Sequence, residues 1–211
     1  MEPSEHTLKI APKIPDELVF RVTEHVKLCA NKPSFMHHSW YVKYHLDIVE
    51  QIALELCELY THANKNLVLL LVWLHDYGKI THNEMHLGCN AQRCKEYLTE
   101  LTLPPQLITV VCEYIQIIDA KENLVDPTTP IEIQIVSSAD GAPHFFGPFY
   151  QVWCHENPDK PLSELLKSNI AKATKDWDKK IVLPQISELV RERYELIREQ
   201  NGELPTKYLN S

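Results

Sequence analysis

The stretch that most constrains the fold is Leu67–Lys79, LVLLLVWLHDYGK, in which eight consecutive apolar residues run straight into His75 and Asp76. A bilayer crossing takes roughly 20 apolar residues, so this run is too short to span one and reads as a helix buried on all sides of a globular core. The imidazole and carboxylate delivered at its end need partners, because burying them unpaired is costly. Adjacent helical residues point about 100° apart, so His75 and Asp76 can converge on one ligand most easily where the helix stops. Gly78 is the expected stop.

The rest of the chain builds a helical shell around that rod. Residues 1–14 read as a flexible N-terminal arm, 15–201 as one helical domain, and 202–211 as a tail. Leu18, Val22, Val26 and Cys29 repeat at helical spacing after Pro15-Asp16-Glu17. Asn31–Ser39 reads as a loop, followed by a helix over 40–62 that places His45 on one stripe with Val49, Ile52 and Leu56. A helix over 83–101 carries Leu87, Ala91, Cys94, Leu98 and Leu101, and another from Pro105 carries Ile108, Val111, Ile115 and Ile118. The stretch IEIQIVSSAD alternates like a strand but also fits a helix; among helical neighbours helix is preferred, which turns Asp140 inward. The Pro- and aromatic-rich segment 141–161 shows no periodicity and reads as an ordered loop, either a pocket wall or plain surface packing. Two helices finish the chain, over 162–177 and 181–200, the last with Leu189, Arg193 and Ile197 in register. The expected fold class is all-α, a single-domain helical bundle.

Composition narrows the function. A net charge of -8 argues against a nucleic-acid polymer or an anionic membrane as partner, since both need clustered cations. It leaves room for a small phosphorylated ligand. The six cysteines form no CxxC pair and read as buried thiols, and the first 30 residues show no apolar secretory stretch, so a cytoplasmic location is expected.

Four residues share metal-ligand chemistry and a place on, or at the end of, an apolar stripe: His45, His75, Asp76 and Asp140. Two imidazoles and two carboxylates suit one divalent transition metal ion, with Mn, Co, Fe, Ni and Zn not distinguished and Mg less natural. Each residue also has an ordinary reading; a lone inward histidine is usually a hydrogen-bonded core residue.

The order His, then His-Asp, then Asp resembles the HD-domain superfamily of metal-dependent phosphohydrolases. His45 with Val49 and Ala53 is similar to its first-ligand helix, LVWLHDYGK to its apolar helix with HDxGK, IVSSAD to the helix bearing its last Asp, and His86-Leu87-Gly88 to the segment after the pair. The resemblance covers roughly 40–141, the metal-site core. It implies hydrolysis of a small phosphorylated substrate, with a nucleotide favoured, by a metal-activated water. Asp76 would orient the water, and Lys79, His82 and His86 would contact phosphate or donate a proton. For Lys79 the alternative is a solvated helix-end lysine, and for the two histidines a surface position.

His37 and His38 could reach the same cleft, and His144, Phe145, Phe146 and Tyr150 could wall a base. Members binding two metals carry a further histidine where this chain reads EYIQIIDA, so one metal is expected, although His82, His86 or Asp119 could serve a second. Two rivals stay open: a di-iron oxygenase of the same superfamily and a non-catalytic ligand-binding module. Oligomeric state is not legible.

Overall fold

The computed structural model describes residues 13–83, 88–204 and 206–207. Its regular elements are all helices among these residues. The organising rod is α3, Lys65–Leu74, counted after α1 (Asp16–Ala30) and α2 (Asp47–Leu59). The side chain of Asn64 caps it by accepting from the Leu67 N–H at 3.1 Å, satisfying one of the four N–H groups that a helix start leaves free. From there Leu67, Val68, Leu70, Leu71, Val72, Trp73 and Leu74 are all buried. Each such side chain contributes about 1.5–3 kcal/mol by leaving water. α3 packs against α1, α2, α6 (Pro105–Ala120) and α7 (Ile131–Gly141), so its whole circumference is apolar.

His45, Val49, Ile52 and Leu56 are buried along one face, as their spacing predicts. The helix ends at Leu59 rather than His62, and it opens with a π-helical turn, Val42–Leu46. That turn inserts an extra residue, so that Tyr41, His45 and Leu46 all point inward. α7 is helical, and its carboxyl end buries Asp140.

Gly78 does not stop a helix. The chain turns at His75-Asp76 and enters α4, Tyr77–His82, with Gly78 inside it. Glycine is required there by close approach: a Cβ would stand 3.1 Å from the Asn90 Cα on α5, Cys89–Glu100. The Gly78 N–H donates to Asn90 Oδ1 at 2.8 Å. Asn90 Nδ2 in turn donates to the carbonyls of Leu74 (3.2 Å) and His75 (2.5 Å), which the end of α3 leaves free.

The segment over 141–161 is not a loop. It folds into α8, Pro143–Phe146, and α9, Phe149–Glu156, each too short to show a periodicity in sequence. α10, Leu162–Lys175, runs on into a second π-helical turn, Asp176–Lys180. α11, Pro184–Asn201, starts three residues later than expected and turns Ile186, Val190 and Tyr194 inward; Leu189 is exposed. One contiguous apolar core runs from Ile14 to Tyr194, so Ile14 belongs to the body rather than to an arm.

Candidate metal centre

The turn between α3 and α4 meets the π-helical turn before α2, bringing His45 Nε2 to 3.4 Å from His75 Nε2. His75 Nε2 lies 3.8 Å from Asp76 Oδ2. The three residues offer ligand atoms that all fall within 4.8 Å of one another, so the group can hold a metal ion. Asp140, arriving from α7, faces both imidazoles: its Oδ1 is 3.4 Å from His45 Nε2 and 3.5 Å from His75 Nε2. Its other oxygen is held by Lys180 Nζ at 2.5 Å. The His75 side chain is 3% exposed and that of Asp76 29%, so the group is closed on the core side and open at Asp76.

The donor set fits a divalent ion on its own chemistry. His75 Nδ1 donates to the Val72 carbonyl at 2.7 Å, which fixes the ring and turns its Nε2 toward the group. Burial pushes the His45 pKa down to about 3, so this ring is held neutral, the form in which an imidazole can bind a metal. Burial works against charge on His75 as well, but Asp140 and Asp76 outweigh it and raise its pKa. The two carboxylates thus favour positive charge where the Nε2 atoms converge. Asp76 is held well below the usual carboxylate range by Lys79 and His75 despite burial, and Asp140 by Lys180 and His75 in the same way.

Lys79 Nζ stands 3.4 Å from Asp76 Oδ2 and lies over the Tyr41 ring, while the Tyr41 hydroxyl donates to the same Asp76 oxygen. His82 stands apart, exposed at the end of α4 with its Nδ1 2.7 Å from Thr81 Oγ1. His86 lies outside the described residues. His37 is buried against Glu156 at 2.9 Å, whereas His38 donates to the Phe35 carbonyl at 2.9 Å. Asp119 is half-buried, and burial together with the charge of Asp76 lifts its pKa to about 6. His144 stacks on His45 with ring centroids 5.2 Å apart, whereas Phe145 packs into the core.

Sequence reasoning missed Tyr41, Asn90 and Lys180. Tyr41 was within reach, four residues before His45 on the same stripe. Lys180 was not: it meets Asp140 across 40 positions because Ser137 Oγ donates to the Lys180 carbonyl (3.0 Å) and Ser138 Oγ accepts from the Val182 and Leu183 N–H groups (3.1 Å each).

No family model, curated protein or solved structure matches the chain. Fold and site therefore define it from its own coordinates: an all-α protein with a buried His/Asp group able to hold a metal ion. Among the described residues no helix is long and apolar enough to cross a membrane.

Proposed function

We propose that the protein is a metal-dependent phosphohydrolase of the HD type, acting on a small phosphorylated substrate, with a nucleotide favoured. The observation that carries this reading is the convergence of His45, His75 and Asp76 within 4.8 Å, joined by Asp140 from a third helix. These four residues would hold one divalent ion, which when bound lowers the pKa of a water and offsets charge developing on phosphorus.

The chain's own groups supply the rest. Asp76, the more open carboxylate, lies where a substrate approaches, and Tyr41 fixes one of its oxygens. Lys79, beside that oxygen, offers an ammonium to a phosphate oxygen. Hydrolysis adds the water's hydroxyl to phosphorus and breaks the P–O bond to the organic group, which leaves with the remaining proton. Lys180, the buried counter-charge of Asp140, keeps that carboxylate ionised and aimed.

The test is a phosphate-release screen across several metals with nucleotides and phosphorylated metabolites. Lys79→Ala should raise KM or lower kcat by roughly tenfold with the metal still bound, as measured by elemental analysis and steady-state kinetics. Absence of release from every substrate by metal-loaded protein would instead favour a ligand-binding module. About two irons per chain after chelator-free purification would favour an oxygenase.

A further inference from the structure

His75 and Asp76 are neighbours in sequence, and on an unbroken helix their side chains would point about 100° apart. Such a helix would also pair the Leu74 carbonyl with the Gly78 N–H and the His75 carbonyl with the Lys79 N–H, because each N–H bonds four residues back. The first of these pairs is split. The Gly78 N–H donates to Asn90 Oδ1 at 2.8 Å, while Asn90 Nδ2 donates to the Leu74 carbonyl at 3.2 Å. The same nitrogen donates to the His75 carbonyl at 2.5 Å. One side-chain amide thus stands between the two partners of a helical hydrogen bond and satisfies both.

The backbone shows the result. His75 keeps helical angles (φ −62°, ψ −23°), but Asp76 lies at φ −122°, ψ 20°, and α4 starts afresh at Tyr77. A side chain inserted into the ladder of helical hydrogen bonds is a known cause of a sharp kink. The place needs one acceptor and two donors on a short planar group, which an asparagine supplies; an aspartate there would have no donor for either carbonyl. Asn90 is buried, and it can sit this close because Gly78 has no Cβ, which would stand 3.1 Å from the Asn90 Cα. One turn further along α5, the Cys94 thiol also donates to the Leu74 carbonyl, at 3.4 Å.

We propose that Asn90 is a positioning residue of the metal centre: wedged between Leu74 and Gly78, its amide keeps α3 and α4 from joining into one helix and so holds His75 and Asp76 toward one ion beside His45. The inference rests on the reading that His45, His75 and Asp76 hold a metal ion, and on no reaction at phosphorus. Asn90 acts through the main chain on either side of Asp76. Without its amide the Leu74 carbonyl and the Gly78 N–H are free to pair with each other. The turn then relaxes toward a continuous helix, in which Asp76 swings away from His75.

Calorimetric titration of the metal-free full chain with Co²⁺, with the visible absorption of the bound ion recorded in parallel, tests the wedge without any assay of turnover. Asn90→Ala should weaken Co²⁺ about ten- to hundredfold and alter the visible band, as expected when a group that orients metal ligands is lost. Its far-UV helical signal should equal or exceed the parent's. Gly78→Ala keeps the amide but forces α5 back, so it should weaken Co²⁺ in the same direction; it carries the test if Asn90→Ala does not fold. Asn64→Ala removes the cap at the other end of α3 and should keep the parent's affinity while lowering the melting temperature. Parental affinity in a folded Asn90→Ala, or an equal loss in Asn64→Ala, would overturn the proposal and leave the metal centre standing. A parent chain that binds no Co²⁺ would overturn the metal-centre reading itself, and the wedge with it.

Discussion

Asp140 and Asp176 flank the same lysine, with Lys180 Nζ 2.5 Å from Asp140 Oδ2 and 3.7 Å from Asp176 Oδ1. Both are buried, and both carboxyls are held well below their ordinary range, although burial alone would raise them. Their other neighbours differ. Asp176 Oδ2 receives His144 Nδ1 at 2.8 Å and an ion pair from Lys172, while Lys180 stands 3.7 Å from its Oδ1. Asp140 faces two imidazole nitrogens that converge beside a second carboxylate, Asp76. Asp176 is balanced by the cationic groups around it, whereas Asp140, paired with Lys180 through one oxygen, turns the other toward His45 and His75 of the group that could hold a metal ion.

The largest expected effect is on the side of the two imidazoles. His75→Ala or Asp76→Ala should abolish metal retention while leaving helical content near that of the parent, as measured by elemental analysis and circular dichroism. Full metal retention in either variant would erase the distinction drawn between the two aspartates. Asp176→Ala should show the opposite pattern, leaving His144, Lys172 and Lys180 without their shared anion. Removing one partner from a buried charge pair costs about 3–5 kcal/mol, read as a shift in the urea midpoint, with metal content per folded molecule unchanged.

Lys180→Met sharpens the comparison because the lysine serves both acids. Metal-free, the variant leaves Asp140 without its ammonium and should lose about 3–5 kcal/mol, as for any buried pair that loses one partner, while Asp176 keeps His144 and Lys172. A divalent ion restores positive charge at Asp140 but not at Asp176. The variant's melting temperature should therefore rise more on adding Mn²⁺ than the parent's does. An equal rise in both would mean that Asp140 does not face the ion.

Much of this arrangement is legible in sequence, and the illegible part has a physical cause. The stripes through His45 and Ile115 and the all-round apolarity of Leu67–Leu74 follow from the helical period, because each is a local property of one element. Gly78 misleads, since a glycine serves a close approach as readily as a helix end, and the Asn90 that it meets lies 12 positions away. Phe149–Glu156 is too short and too aromatic for a period to emerge. Lys180 is invisible because two serines on another helix place it. Long-range polar contacts carry no signature in one sequence.

Asp119 is the third acid of the comparison, the one without an adequate cation, and it carries the smallest expected effect. Burial and the charge of Asp76 lift its pKa from 3.8 to about 6, with Lys121 opposing only in part. A raised acid binds more protons folded than unfolded between those two values. Its contribution is favourable below pH 4 and is lost as the pH rises through about 6. An asparagine does not ionise, so Asp119→Asn should match the parent at pH 4 and exceed it by about 1–2 kcal/mol at pH 8, after allowance for its partial exposure. Urea titrations at the two pH values measure the difference. A gap that is flat or reversed with pH would place Asp119 beside an unrecognised cation. Mn²⁺ should narrow the gap, because an ion at Asp76 offsets the charge that helps to raise Asp119.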